Sequence, residues 1–247
     1  MFKRSYSFTS IFRYVALIGD SLASGEFEIE KENGEHEHFD KIPYSWGQFL
    51  ARKNGFTLYN FTRGGMTAKE YNASFAKEND FYNPKYKSQA YLIALGVNDL
   101  LNLHYELGTI GDINVNNYKN NKSTVVGEYA KIIQMYKEIA PEAKFFLVSM
   151  PKDCRDSDID KLNKKSFNEV LHQLARVFTN TYVVDLYNKM DPYTWEDNKK
   201  YFMFGHLNPM GYVYTADVID SLIDEIIENN PKDFELVGVS DLIKTGL

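Results

Sequence analysis

The chain has 247 residues, 44% apolar and 25% charged, an ordinary globular composition with enough apolar material for one substantial core. A net charge of −6 without any Lys/Arg-rich block leaves no source for phosphate-backbone attraction, so nucleic-acid partners are not expected. Apolar runs such as Tyr14 to Ile18 fall far short of the roughly 20 residues of a membrane-spanning helix, and no membrane partner is expected.

The opening stretch MFKRSYSFTSIFR has basic residues but neither the apolar centre nor the small-residue cleavage site of a secretory signal, so a cytoplasmic location is expected. A lone Cys154 excludes an internal disulfide and a cysteine-rich metal site. RYVALIG (Arg13–Gly19) reads as the first strand, followed by the polar, acidic insertion EFEIEKENGEHEHFDKIP (Glu26–Pro43). A helix over Ser45–Gly55, ending at a glycine cap, leads to the second strand, Phe56–Phe61. The third strand, Ala90–Gly96, precedes another long insertion at residues 102–123. A helix over Thr124–Pro141 carries Val125, Tyr129, Ile132, Ile133 and Tyr136 on one stripe, and strand Lys144–Met150 follows. After a further amphipathic helix ending at Phe178 comes the fifth strand, Thr181–Leu186. The last helix is marked by Asn208 as N-cap and Pro209 at its first position, and the tail from Phe234 is expected to pack back on the body.

These strands are continuous apolar runs, as strands covered on both faces are, and they alternate with helices. The pattern predicts one α/β domain over residues 1–247 with a doubly wound, five-stranded parallel sheet. In such sheets ligands bind beyond the carboxyl ends of the strands. There the sequence places GDSL (Gly19–Leu22), TRGGMT (Thr62–Thr67), GVND (Gly96–Asp99) and, before the last helix, GHLNP (Gly205–Pro209).

The set has chemical meaning. A serine hydroxyl needs a base, usually a neutral imidazole, and acyl transfer needs donors for the developing oxyanion. Ser21, Gly65, Asn98 and His206 supply these parts. Taken singly, each has a plainer explanation: Ser21 or Asn98 as a helix cap, Gly64 and Gly65 as a tight turn, His206 as a loop histidine. The segment around Ser21 lacks the second glycine of G-x-S-x-G, and no GxxxxGK or GxGxxG phosphate loop follows the first strand. Asp20 and Asp99 read as structural hydrogen-bonding residues. His36 and His38 read as part of an exposed acidic loop, His104 as a residue at the pocket edge and His172 as solvent-facing on a helix. No metal site and no cofactor is expected.

Four blocks in this order resemble the SGNH or GDSL hydrolases, over the chain from about Tyr14 to the last helix. The resemblance implies a flavodoxin-like three-layer α/β/α sandwich and a serine esterase. Ser21 would be the nucleophile and its N–H an oxyanion donor, Gly65 a second backbone donor, Asn98 the side-chain donor and His206 the general base. In that family an aspartate three residues before the histidine holds the imidazole; here that position is Met203. Two arrangements can replace it: a Ser–His dyad with a backbone carbonyl on His206, which is the favoured expectation, or a relocated carboxylate, for which Glu196 and Asp197 are nearest in sequence. The implied substrate is a carbohydrate or small-molecule ester with a short acyl group such as acetyl. Alternatives are a thioesterase or lysophospholipase acting on longer chains, and a non-catalytic ligand-binding relative.

Overall fold

The computed structural model describes residues 6–239. Its main sheet contains β1 (Tyr14–Gly19), β4 (Thr57–Thr62), β5 (Ala90–Ala94), β6 (Lys144–Val148) and β7 (Thr181–Val184), in the order β4-β1-β5-β6-β7. Every pairing in it is parallel. Counted along this sheet alone, that is the 2-1-3-4-5 order of flavodoxin-like folds. Each expected strand appears within one residue at its start and within two at its end.

Side chains alternate across the sheet and define its two buried faces. Ala16, Ile18, Tyr91, Ile93, Phe145 and Leu147 pack under the helices Val125–Ile139 and Asp158–Val177. Val15, Leu17, Leu92, Phe146 and Val184 face the helices Trp46–Asn54 and Pro209–Asn229. This two-sided burial is why the strands read as unbroken apolar runs rather than alternating ones. The helix starts follow from capping chemistry: Ser45, Thr124, Ser157 and Asn208 each accept a backbone N–H from the first turn. Gly55 ends its helix at φ +74°, a left-handed conformation that a side chain would resist.

The tail returns to the body, with Phe234 buried and Val237 packed on the same core; residues 240–247 of that expected tail, and residues 1–5 of the opening stretch, lie outside the described residues. The first insertion is not an irregular loop. Residues Glu26–Glu30 (β2) and His36–Asp40 (β3) form an antiparallel hairpin, closed by the Lys31 and Glu35 backbones at 2.8 Å. The second insertion, residues 102–123, contains two short 3-10 turns and is tied down by Asp112, which accepts from the Thr109 N–H, the Thr124 hydroxyl and Lys122. A second small hairpin, β8 (Phe202–Met203) with β9 (His206–Leu207), immediately precedes the last helix.

Candidate active site

The four sequence blocks meet at the carboxyl edge of the sheet. Ser21 is the first residue of the short helix Ser21–Ser24 directly after β1, and it is partly exposed. Buried Asp20 caps this helix by accepting the Leu22 N–H at 3.1 Å, so the cap role belongs to Asp20 and the Ser21 side chain is released from it. The Arg63–Met66 turn follows β4, with Gly65 at φ +71° and open space where a Cβ would stand. Asn98 reaches this turn through Nδ2, which donates to the Met66 carbonyl at 3.1 Å, while its Oδ1 accepts from Asn102. Asp99 fastens the same loops together by accepting the Ala68 N–H at 3.0 Å.

The buried aspartates beneath the serine carry an electrostatic cost. Burial, with Asp99 and Glu26 nearby, pushes the Asp20 carboxyl up to about 7, and burial likewise raises Asp99 to about 6. A carboxyl whose value is raised on folding stabilises the fold in its neutral form, and that contribution is lost as pH rises through the folded value. Thermal unfolding is therefore expected at a lower temperature at pH 8 than at pH 6. Asp20→Asn, which keeps an oxygen for the Leu22 N–H, should flatten this trend. An unchanged slope in that variant would reject Asp20 as its source.

His206 opens β9, and its ring lies between two carboxylates of β2. Nδ1 is 2.9 Å from Glu28 Oε2, and Nε2 is 3.2 Å from Glu26 Oε1. Residues 26 and 28 share one face of the strand because side chains alternate. The Gly205 N–H donates to the same Glu28 oxygen at 2.9 Å, and His36 Nδ1 meets the other oxygen at 2.6 Å. Burial alone would raise the Glu28 carboxyl, but bonds from His206, His36 and Gly205 overcome it and bring the value down to about 2. Glu28 is accordingly a carboxylate throughout the working pH range.

Local backbone geometry aims these groups. Phe204, in the two-residue turn between β8 and β9, sits at φ +55°, a region that costs a bulky residue on the order of 1 kcal/mol or more. Its ring packs edge-on against His36 at 4.7 Å, and its carbonyl accepts from Arg155 at 3.2 Å. The resulting turn points the Gly205 N–H and the His206 ring to one carboxylate. Tyr212, one turn into the last helix, donates to the Glu26 carbonyl at 2.7 Å and lies 3.5 Å from the Ser21 carbonyl. That hydroxyl joins the serine loop, β2 and the histidine-bearing segment.

Of the two arrangements expected in place of an acid at Met203, the structure has the relocated carboxylate rather than the favoured dyad, and the residue is one that neither candidate named. Met203 is paired with His206 across the β8–β9 hairpin, and the group on Nδ1 is a side-chain carboxylate rather than a backbone carbonyl. That carboxylate is not Glu196 or Asp197. Asp197 forms a capping box with Thr194 at the start of the helix Trp195–Tyr201, and exposed Glu196 pairs with Lys199. Glu28 was missed because it lies 178 positions before His206, in an acidic insertion whose alternation reads as a solvated surface. The available signal was the period-two pattern E-F-E-I-E facing H-E-H-F-D, which is that of a hairpin with one polar face. His36 and His38 are likewise not free loop histidines, since they pair with Glu28 and Glu26. His172 is half-exposed but pairs with Asp185 at 2.9 Å, and His104 Nδ1 lies 3.2 Å from the Leu100 carbonyl.

Beside the serine loop lies a largely apolar cavity of about 410 Å³, lined by Leu22, Ala23, Leu95, Val97, Met150 and Leu207 among others, with Asp153 and Arg155 among its polar residues. None of the helices among the described residues is long and apolar enough to cross a membrane.

A parallel sheet in this order, with a serine, a glycine turn, an asparagine and a histidine at its carboxyl edge, defines a carboxylic ester hydrolase of the SGNH architecture. The chain belongs to the GDSL-like Lipase/Acylhydrolase family, whose model matches residues 17–214. Solved structures share the fold at low identity. A family two carbohydrate esterase from Clostridium thermocellum in complex with cellohexaose is 15% identical, with 94% of this chain and 67% of that one covered and a TM-score of 0.56. A carbohydrate esterase family 2 enzyme with a carbohydrate binding domain, from Corynascus thermopiles (Myceliophthora fergusii), gives 14%, 92%, 69% and 0.58 in the same order. TesA gives 13%, 85%, 98% and 0.52. Among curated proteins, none matches the sequence.

Proposed function

We infer that this esterase works through an acyl-enzyme. Ser21 attacks the ester carbonyl, His206 Nε2 takes the hydroxyl proton and later delivers it to the leaving alcohol, and water repeats the cycle in reverse roles to release the acid. The N–H groups of Ser21 and Gly65 and the Asn98 amide are assigned to the oxyanion. Glu28 is the positioning residue: it accepts the Nδ1–H, which fixes the tautomer that leaves a lone pair on Nε2, and it stabilises the imidazolium that forms. The observation that carries this reading is the 2.9 Å contact between His206 Nδ1 and a carboxylate held ionised by three donors.

The proposed substrate is a short acyl ester, such as acetyl, on a carbohydrate or another small polyhydroxy alcohol. What supports it is the polar β2–β3 hairpin that follows the serine loop: it exposes the His36 and His38 rings over the buried Glu26 and Glu28, and these imidazoles are hydrogen-bonding partners for hydroxyl groups and poor company for an alkyl chain. The carbohydrate esterases that share the fold are consistent with this class. A second reading draws on the apolar cavity beside Leu22, which offers room for a longer acyl chain. Rates on p-nitrophenyl esters from acetate to palmitate separate the two. Highest kcat/KM at two to four acyl carbons is expected, and a maximum at eight or more would replace the short-acyl reading with the second.

A further inference from the structure

We propose that Glu26, His38 and His206 form a binding site for a divalent cation of the zinc class, and that the bound cation switches hydrolysis off. The inhibitory half of this proposal rests on His206 being the general base; the binding half stands on the ligand geometry alone.

In the neutral Nδ1–H tautomer that the proposed mechanism uses, Glu28 accepts the one N–H and Nε2 presents a lone pair. That lone pair faces another acceptor, Glu26 Oε1, at 3.2 Å, and the same oxygen is 3.0 Å from His38 Nδ1. One ligand atom from each residue lies within 4.8 Å of the other two. Bonds of about 2.0–2.2 Å from a central zinc ion give tetrahedral edges of about 3.3–3.6 Å, so two of the separations are already close to those a bound ion would set.

The surroundings fit as well. Glu28 on the remote nitrogen of His206 is the carboxylate–histidine–metal arrangement that orients such ligands, and His36 in turn holds Glu28. Gly64 leaves the space that the Glu26 carboxylate occupies, since a Cβ there would overlap Glu26 Oε2. Two imidazoles and one carboxylate favour zinc over calcium or magnesium, which take oxygen ligands. The His38 side chain is 46% exposed, which gives an ion a path from solvent. A cation on Nε2 uses the electron pair that would remove the Ser21 proton, so metal binding and turnover exclude each other.

The test is titration of the EDTA-treated, dialysed full chain with Zn2+ by calorimetry and with Co2+ by visible absorption, alongside hydrolysis of p-nitrophenyl acetate. One equivalent should bind, Co2+ should show the intense d–d bands of a four- or five-coordinate ion, and turnover should fall in step with occupancy and return with EDTA. His38→Ala and Glu26→Gln should each weaken binding by about 100-fold or more, with inhibition weakened equally against each variant's own metal-free rate. Absence of saturable binding overturns the proposal, as does binding that neither variant alters, or stimulation of turnover by the metal. A proton bridging these groups in place of a metal would give the first of those results. Binding with the expected ligand dependence in a chain that hydrolyses no ester would support the site and overturn the catalytic reading, so the two fail separately.

Discussion

Replacing Ser21 by alanine is expected to lower kcat for ester hydrolysis by about 10⁶-fold and to abolish labelling by a fluorophosphonate probe. The size follows from the mechanism: without the hydroxyl no acyl-enzyme forms, and only orientation and oxyanion stabilisation remain, which in serine hydrolases retain about 10³–10⁴-fold over water. His206→Ala should cost nearly as much, and the double variant little more, because the proposed mechanism has the two side chains act in one step. The fold should survive the change. The helix after β1 is capped by Asp20 rather than by Ser21, and the Ser21 side chain is not part of the buried core. Mass spectrometry of the labelled wild type should place the adduct on the peptide holding Ser21. A labelled wild type whose Ser21→Ala variant is labelled equally would transfer the nucleophile elsewhere.

The second large effect belongs to Glu28→Gln, for which kcat should fall by about 10²–10⁴-fold with little change in KM. Glutamine has the same size and still offers an oxygen, but it lacks the charge that stabilises the imidazolium. Its amide can also turn its N–H groups to the ring and favour the wrong tautomer. A merely structural role would leave two readouts unmoved. A downfield proton resonance from His206 Nδ1–H should be present in the wild type and lost in Glu28→Gln, and Glu28→Asp should restore part of the rate. Met203→Asp in the Glu28→Gln background tests the geometry further. Position 203 pairs with His206 across the hairpin, so an acid there should recover activity, while Met203→Asp alone should change it only modestly. Glu196→Ala and Asp197→Ala should stay within about twofold of wild type, since those carboxylates serve Lys199 and Thr194. A loss in either that matches Glu28→Gln would remove Glu28 from its role.

The contrast between what the sequence revealed and what it hid has a physical basis. The five strands were legible because each is buried on both faces, which leaves a run such as YVALIG with no polar position. Helix starts at Ser45, Thr124 and Asn208 were legible because capping is local, written within three or four residues. The strand-end blocks holding Ser21, Gly65, Asn98 and His206 could be located because the order of strands sets which loops meet. The partner of His206 was hidden for the opposite reason. Its position depends on how far a hairpin folds back over the sheet edge, and on a turn that holds Phe204 at positive φ, and neither leaves a short-range mark in the sequence. Proximity along the chain favoured Glu196 and Asp197, whereas proximity in space comes from β2 packing beside β9.

The β2–β3 hairpin has one more consequence, for how this enzyme can be altered. In a hydrolase whose acid sits three residues before its histidine, the loop after the first strand is free to be exchanged for another specificity without touching the base. In the mechanism proposed for this chain the two are carried on one segment: the hairpin that would meet the alcohol portion of a substrate also supplies Glu28. On that mechanism, its replacement by a loop from a relative would remove substrate contacts and base activation in a single step. Any redesign of this edge must therefore install a carboxylate at position 203 first and vary the hairpin afterwards.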